Sequence, residues 1–152
     1  MRDIIILIVV FIIGIGVGYI GQNVIKPYVE PYIFDTSLIL TMQSNSTSVI
    51  LGETVSFTAT FSVTLPQELQ TLEEYIMEPL LQNKKIELYV KPEGSDIFYT
   101  ADVQQTTQSG TCILMCTFNS VGIYEVKAVF EGTNLLRPTE SNVLTINVTE
   151  IG

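Results

Sequence analysis

The chain has no histidine among its 152 residues. That removes the side chain most used for proton transfer near neutral pH and the commonest transition-metal ligand. Ser-His-Asp and Cys-His catalytic arrangements are therefore excluded within the chain. Basic residues are scarce, with seven Lys and Arg against sixteen Asp and Glu, giving a formal net charge of −9. A surface of that sign repels phosphate backbones and anionic lipid headgroups, so nucleic acid is not an expected partner. Only two cysteines are present, Cys112 and Cys116. On a strand, four residues span about 13 Å, beyond the roughly 7 Å between Cα atoms that a disulfide allows. They read as small buried apolar side chains, and Cys-x-x-x-Cys without further ligands is a weak metal signal. No cofactor and no metal site is expected. Paired carboxylates such as Glu73 and Glu74, or Glu93 and Asp96, read as acidic surface loops, and no EF-hand spacing occurs. The chain is not expected to be an enzyme.

One long hydrophobic run is present. Ile4 to Ile20 reads IIILIVVFIIGIGVGYI with no charge. As a helix extended to residue 25 it matches a hydrocarbon core of about 30 Å. The run exceeds the usual signal-peptide h-region and no A-x-A cleavage site follows, so residues 1–25 are expected to be a retained signal-anchor helix. The N-terminus is placed in the cytoplasm and the remainder outside, as a single-pass membrane protein. Gly14 and Gly18 form a Gly-x-x-x-Gly spacing that permits close helix–helix approach. Residues 26–36, with Pro27 and Pro31, read as an extended stalk. Tyr19, Tyr28, Tyr32 and Phe34 fit an aromatic belt at the interface.

From residue 37 to 150 the pattern changes to period two. In Thr54 to Val63 the residues Val55, Phe57, Ala59, Phe61 and Val63 share one face, with Thr and Ser on the other. That is the mark of a half-buried antiparallel strand. Similar runs lie at Leu38–Met42, Ile86–Val90, Tyr124–Phe130 and Leu144–Val148, with a less regular one at Ile97–Val103. In Thr111 to Phe118 the apolar Ile113 and Met115 point away from Cys112, Leu114, Cys116 and Phe118. They mark a partner surface, or a face covered by a local segment. About seven strands in some 115 residues call for two stacked sheets, since a lone sheet leaves an apolar face in water. Within this all-β pattern, residues 65–83 switch to helical spacing at Leu69, Leu72, Ile76 and Leu80. Pro66 suits a helix start and Pro79 a kink or an end. The apolar stripe of this insertion either caps the sandwich or offers a surface to a partner.

Three segments carry a resemblance. Gly52-Glu53-Thr54-Val55-Ser56-Phe57-Thr58-Ala59-Thr60 resembles the second strand of prokaryotic Ig-like domains of the kind repeated in surface adhesins. Gly122-Ile123-Tyr124-Glu125-Val126-Lys127-Ala128-Val129-Phe130 is similar to their penultimate strand, and Glu140 to Val148 to their last. The resemblance implies an Ig-like two-sheet antiparallel β-sandwich, with Tyr124 as the tyrosine-corner residue and Val126 where antibodies place a cysteine. Together with the hydrophobic run and the lack of catalytic residues, it leads to the expectation of a non-catalytic, membrane-anchored module for protein interaction or cell-surface structure and adhesion, with a protein partner in the envelope or self-association. The architecture, a hydrophobic N-terminal helix before a β-sandwich, also resembles archaeal pilus and archaellum subunits and anchored accessory proteins of such machines. Asn45 and Asn147 head glycosylation sequons that matter only in a host that glycosylates exported proteins.

Overall fold

The computed structural model describes residues 34–43 and 47–150. In chain order the elements are β1 (Asp35–Met42), β2 (Ser48–Ile50), β3 (Thr54–Thr64), a 3-10 helix (Gln67–Leu72), α1 (Glu73–Leu81), β4 (Lys85–Pro92), β5 (Tyr99–Gln105), β6 (Thr111–Thr117), β7 (Gly122–Phe130), β8 (Thr139–Glu140) and β9 (Leu144–Thr149). They form two sheets. One has the order β1-β3-β6; the other has β2-β9-β7-β4-β5, with β8 paired to β7. Of the long strands, β3, β6 and β7 alternate most regularly between buried and outward residues. Along β3 the five residues Val55, Phe57, Ala59, Phe61 and Val63 are buried. Their neighbours across the ladder, Leu40 on β1 and Cys112 on β6, lie opposite Ala59.

The dry interior between the sheets is where the fold obtains its stability. Leu40, Phe57, Phe61, Ile86, Leu88, Leu114, Phe118 and Ile146 are fully buried, each contributing on the order of 1.5–3 kcal/mol of transfer free energy. Phe61 and Phe130 meet across the layers with ring centroids 4.6 Å apart. Phe118 and Tyr124 do so at 4.7 Å. The Tyr124 hydroxyl donates to the Ser120 carbonyl at 2.8 Å, so the phenol leaves its ring in the core and its polar tip satisfied.

The structure revises several expectations. Among the described residues there are nine strands where about seven were expected: β2 and β8 span three and two residues, too short to show a periodicity. The sandwich is not wholly antiparallel, because β2 pairs with β9 in parallel, Val49 opposite Val148. The less regular strand begins at Tyr99, two residues after Ile97. Phe34, read as part of the stalk and the aromatic belt, is instead buried in the core. Its N–H donates to the Leu135 carbonyl at 2.8 Å and its carbonyl accepts from Arg137 N–H at 3.0 Å. Pro79 does not stop the helix at once: α1 continues two residues past it. Residues 1–25, with Gly14 and Gly18, lie outside the described residues, as does most of 26–36. Among the described residues no helix is long and apolar enough to cross a membrane.

Candidate functional site

The insertion is built inward. Leu69, Ile76 and Leu80 are buried in the core and Leu72 is packed against it. The stripe expected either to cap or to bind thus closes one end of the sandwich, and these four side chains are not free for a partner. Thr106, in the loop between β5 and β6, ties the insertion down. It is buried, its hydroxyl donates to the Leu81 carbonyl at 2.5 Å, and it accepts the Lys84 N–H at 2.9 Å. It thereby satisfies a carbonyl that the helix end leaves without an intrahelical partner. Asn83 turns the chain out of the helix at φ 59°, and its N–H reaches the Thr106 carbonyl at 2.9 Å. Nothing in the spacing of residues 65–83 marks Thr106, which acts from 25 residues downstream of Leu81.

Ile113 and Met115 are exposed, by 48% and 51%, and no local segment covers them. Ile39 on β1 joins them at 54%. The signal for Ile39 was present in the sequence: with Leu38 and Leu40 turned inward, alternation leaves it outside. The three lie on the outer face of the three-stranded sheet, on either side of the central strand. The rungs are Ile39–Thr60–Thr111, Thr41–Thr58–Ile113 and Ser56–Met115. Every other outward residue of these strands is Ser or Thr, except Asp35 at one corner, whose Oδ1 meets Arg137 Nε at 3.0 Å. The outward side chains of the face are therefore mostly hydroxyl-bearing, and none carries an unpaired charge.

Both edges of that sheet are closed by side chains. On β1 the Asn142 amide imitates a strand: its Oδ1 accepts the Leu40 N–H at 2.9 Å and its Nδ2 donates to the Leu40 carbonyl at 3.0 Å. On β6 the Met115 N–H is taken by Asp102 Oδ2 at 2.8 Å. A plugged edge cannot template pairing with another chain at those residues. Asn142 and Asp102 escaped sequence reasoning because each lies on a segment of the other sheet.

The charge lies elsewhere. Arg2 and Lys26 balance Asp3 and Glu30, so the whole −9 falls beyond residue 33. The outer face of the larger sheet carries the pairs Lys85–Glu87, Lys91–Glu125 and Lys127–Glu140. Phe98 sits beneath two ammonium groups, with Lys127 Nζ 4.4 Å from its ring centroid and Lys91 Nζ at 5.5 Å. Glu87 is more buried than an outward strand position suggests. The Lys85 ammonium first, and the Tyr89 hydroxyl second, hold its carboxyl below the usual range. Cys112 and Cys116 are free and buried, and burial, then Asp102, pushes both thiols up to about 11. Thr54, Tyr99, Met115 and Cys116 help line a shallow cleft of about 410 Å³ at the β5–β6 seam. Asn147 is exposed on β9, while Asn45 lies outside the described residues. Among the described residues no three acidic, Cys or His side chains are grouped to hold a metal.

The sheet order and the Tyr124–Ser120 tie define the class: an immunoglobulin-like β-sandwich. No family model matches the chain, and no curated protein does. Solved structures similar to it include a human fibronectin type III domain, at 14% identity over 89% of this chain and 85% of that one, with a TM-score of 0.48. Another is a CARDB domain from Pyrococcus furiosus in complex with two metal ions, at 8% identity, 79% and 97% coverage and a TM-score of 0.44. A third is a β-glucosidase from Listeria innocua, at 14% identity and a TM-score of 0.45, where 77% of this chain corresponds to 17% of that one.

Proposed function

We propose that the chain is a membrane-anchored, extracytoplasmic protein-interaction module that performs no catalysis. The observation that carries this reading is the outer face of β1, β3 and β6, where Ile39, Ile113 and Met115 are exposed and the one charged strand residue, Asp35, is paired with Arg137. Depletion of charge around exposed apolar side chains is the compositional mark of the centre of a protein interface. The apolar run from Ile4 to Ile20 supports the anchor, and the cytoplasmic N-terminus follows from its position ahead of a domain of exported type.

Two measurements test the reading together. Protease added outside intact cells is expected to remove the domain, and a photoreactive residue replacing Ile113 is expected to crosslink to protein. Full protection of the domain from external protease in unbroken cells overturns the topology. Absence of any protein crosslink at position 113, with the domain exposed, overturns the interaction role.

A further inference from the structure

We infer that Asn147 is an N-glycosylation site, its side-chain amide carrying an oligosaccharide of hexose or N-acetylhexosamine units. The inference rests on the extracytoplasmic placement proposed above, where glycan transfer takes place, and adds a covalent modification to it.

The sequence supplies the acceptor. Asn147-Val148-Thr149 has the Asn-x-Thr form, with a residue other than Pro in the middle. The fold decides whether such a triplet is within reach of an enzyme. Val148 is fully buried, so Asn147 and Thr149 both point outward from β9 and are exposed. A register shifted by one residue would turn both into the core. Asn142, just ahead of β9, shows the contrasting case. Its amide is taken up by the Leu40 N–H and carbonyl, and Leu144 stands where a sequon needs a hydroxyl.

The surroundings agree. Asn147 stands between Ser48 on β2 and Ile123 on β7. Ile123 is exposed, and so is Ile50, which lies opposite Thr149. The ion pairs on the outer face of this sheet are made by β4, β7 and β8, whereas β2 and β9 carry no charged residue. β2 is the edge of the sheet. A bulky, hydrated glycan rooted one strand in from it covers both isoleucines and hinders another chain from adding to the edge.

The reaction is a group transfer. Asn147 Nδ2 attacks the anomeric carbon of an oligosaccharide held on a polyprenyl phosphate carrier. A C–N bond forms, the C–O bond to the carrier phosphate breaks, and the phosphate leaves with the electron pair. One amide proton passes to a base of the membrane transferase. Nothing is oxidised or reduced. Thr149 is a positioning residue: its hydroxyl is the group by which the transferase holds the acceptor.

The test uses the full chain, isolated from membranes of the cells that make it and cleaved after Glu. Residues 141–150 then form one peptide, in which Asn147 heads the single sequon. This peptide is expected to be heavier by whole hexose or N-acetylhexosamine units, with fragmentation placing the sugar on Asn147. Asn147→Gln and Thr149→Val are expected to abolish the added mass, and Thr149→Ser to keep it. A peptide of unmodified mass overturns the inference. So does an added mass that survives Asn147→Gln. Protease added outside intact cells separates the two readings. A bare Asn147 on an accessible domain sinks the glycan alone, whereas a bare Asn147 on a protected domain sinks the anchored reading with it.

Discussion

Two residues shape what the domain can do chemically. Cys112 and Cys116 sit on the inward face of β6, and burial raises both thiols to about 11. Since the thiolate is the reacting form, only about one thiol in ten thousand is reactive at pH 7. We expect no modification by iodoacetamide in the native state and stoichiometric labelling of both in denaturant, read by mass spectrometry. Their fourfold spacing on a strand revealed both their burial and their inability to pair, because it depends only on strand rise. Glu87 was not legible in that way. Its carboxyl is held low by Lys85 and Tyr89, so its folded pKa lies below the unfolded one. That stabilisation is present above the ordinary carboxylate value of 4.5 and is lost as pH falls through the folded value. Urea midpoints from about pH 6 to about pH 3 are expected to fall more steeply for the native chain than for Glu87→Gln. Gly110 is fixed by its surroundings: at φ +85° a Cβ would lie 2.5 Å from the Phe61 carbonyl oxygen. The Gly110 carbonyl in turn accepts the Phe61 N–H. Gly110→Ala is expected to cost on the order of 1–3 kcal/mol by denaturant titration.

At the scale of elements, period two located the long strands closely, because a half-buried strand writes its two environments directly into alternate residues. Helical spacing found the insertion, since Leu69, Ile76 and Leu80 all reach the core. It could not find what secures it. Thr106 receives the Lys84 N–H and donates to the Leu81 carbonyl, a pairing set by the sandwich bringing the β5–β6 loop against the helix end. Thr106→Val keeps the shape and leaves both groups without a partner, at about 1–3 kcal/mol for each buried group. The expected signature is faster hydrogen exchange in residues 67–84 at conditions where β3 and β7 amides stay protected. Uniform loss of protection across the domain would contradict the local role. The short strands β2 and β8 escaped prediction because their partners, β9 and β7, select them through ladder bonds and not through their own composition.

For the molecule as a whole, the two sheets divide the work. The larger one carries the ion pairs and the cation-flanked Phe98 on its outer face; the smaller one is neutral and apolar at three points. Phe34 is buried against the segment around Leu136 and bonded to it on both sides. Phe34→Ala removes a filled core position, at about 3–5 kcal/mol in the denaturation midpoint. It is also expected to free the Asp35–Ser37 amides to exchange with solvent while β3 stays protected, which would show that the tie to the N-terminal segment is local. By itself, the amino-acid order determined the all-β class, the long strands, the inward insertion stripe and the burial of both cysteines. Each of these follows from the spacing of apolar side chains along a single strand or helix. The tertiary structure alone decided the plugging of two sheet edges by Asn142 and Asp102, the tie at Thr106, and the gathering of Ile39, Ile113 and Met115 on one neutral face. These features join residues far apart in the chain, and only the pairing of β1 and β6 with β3 and the stacking of the two sheets bring them together.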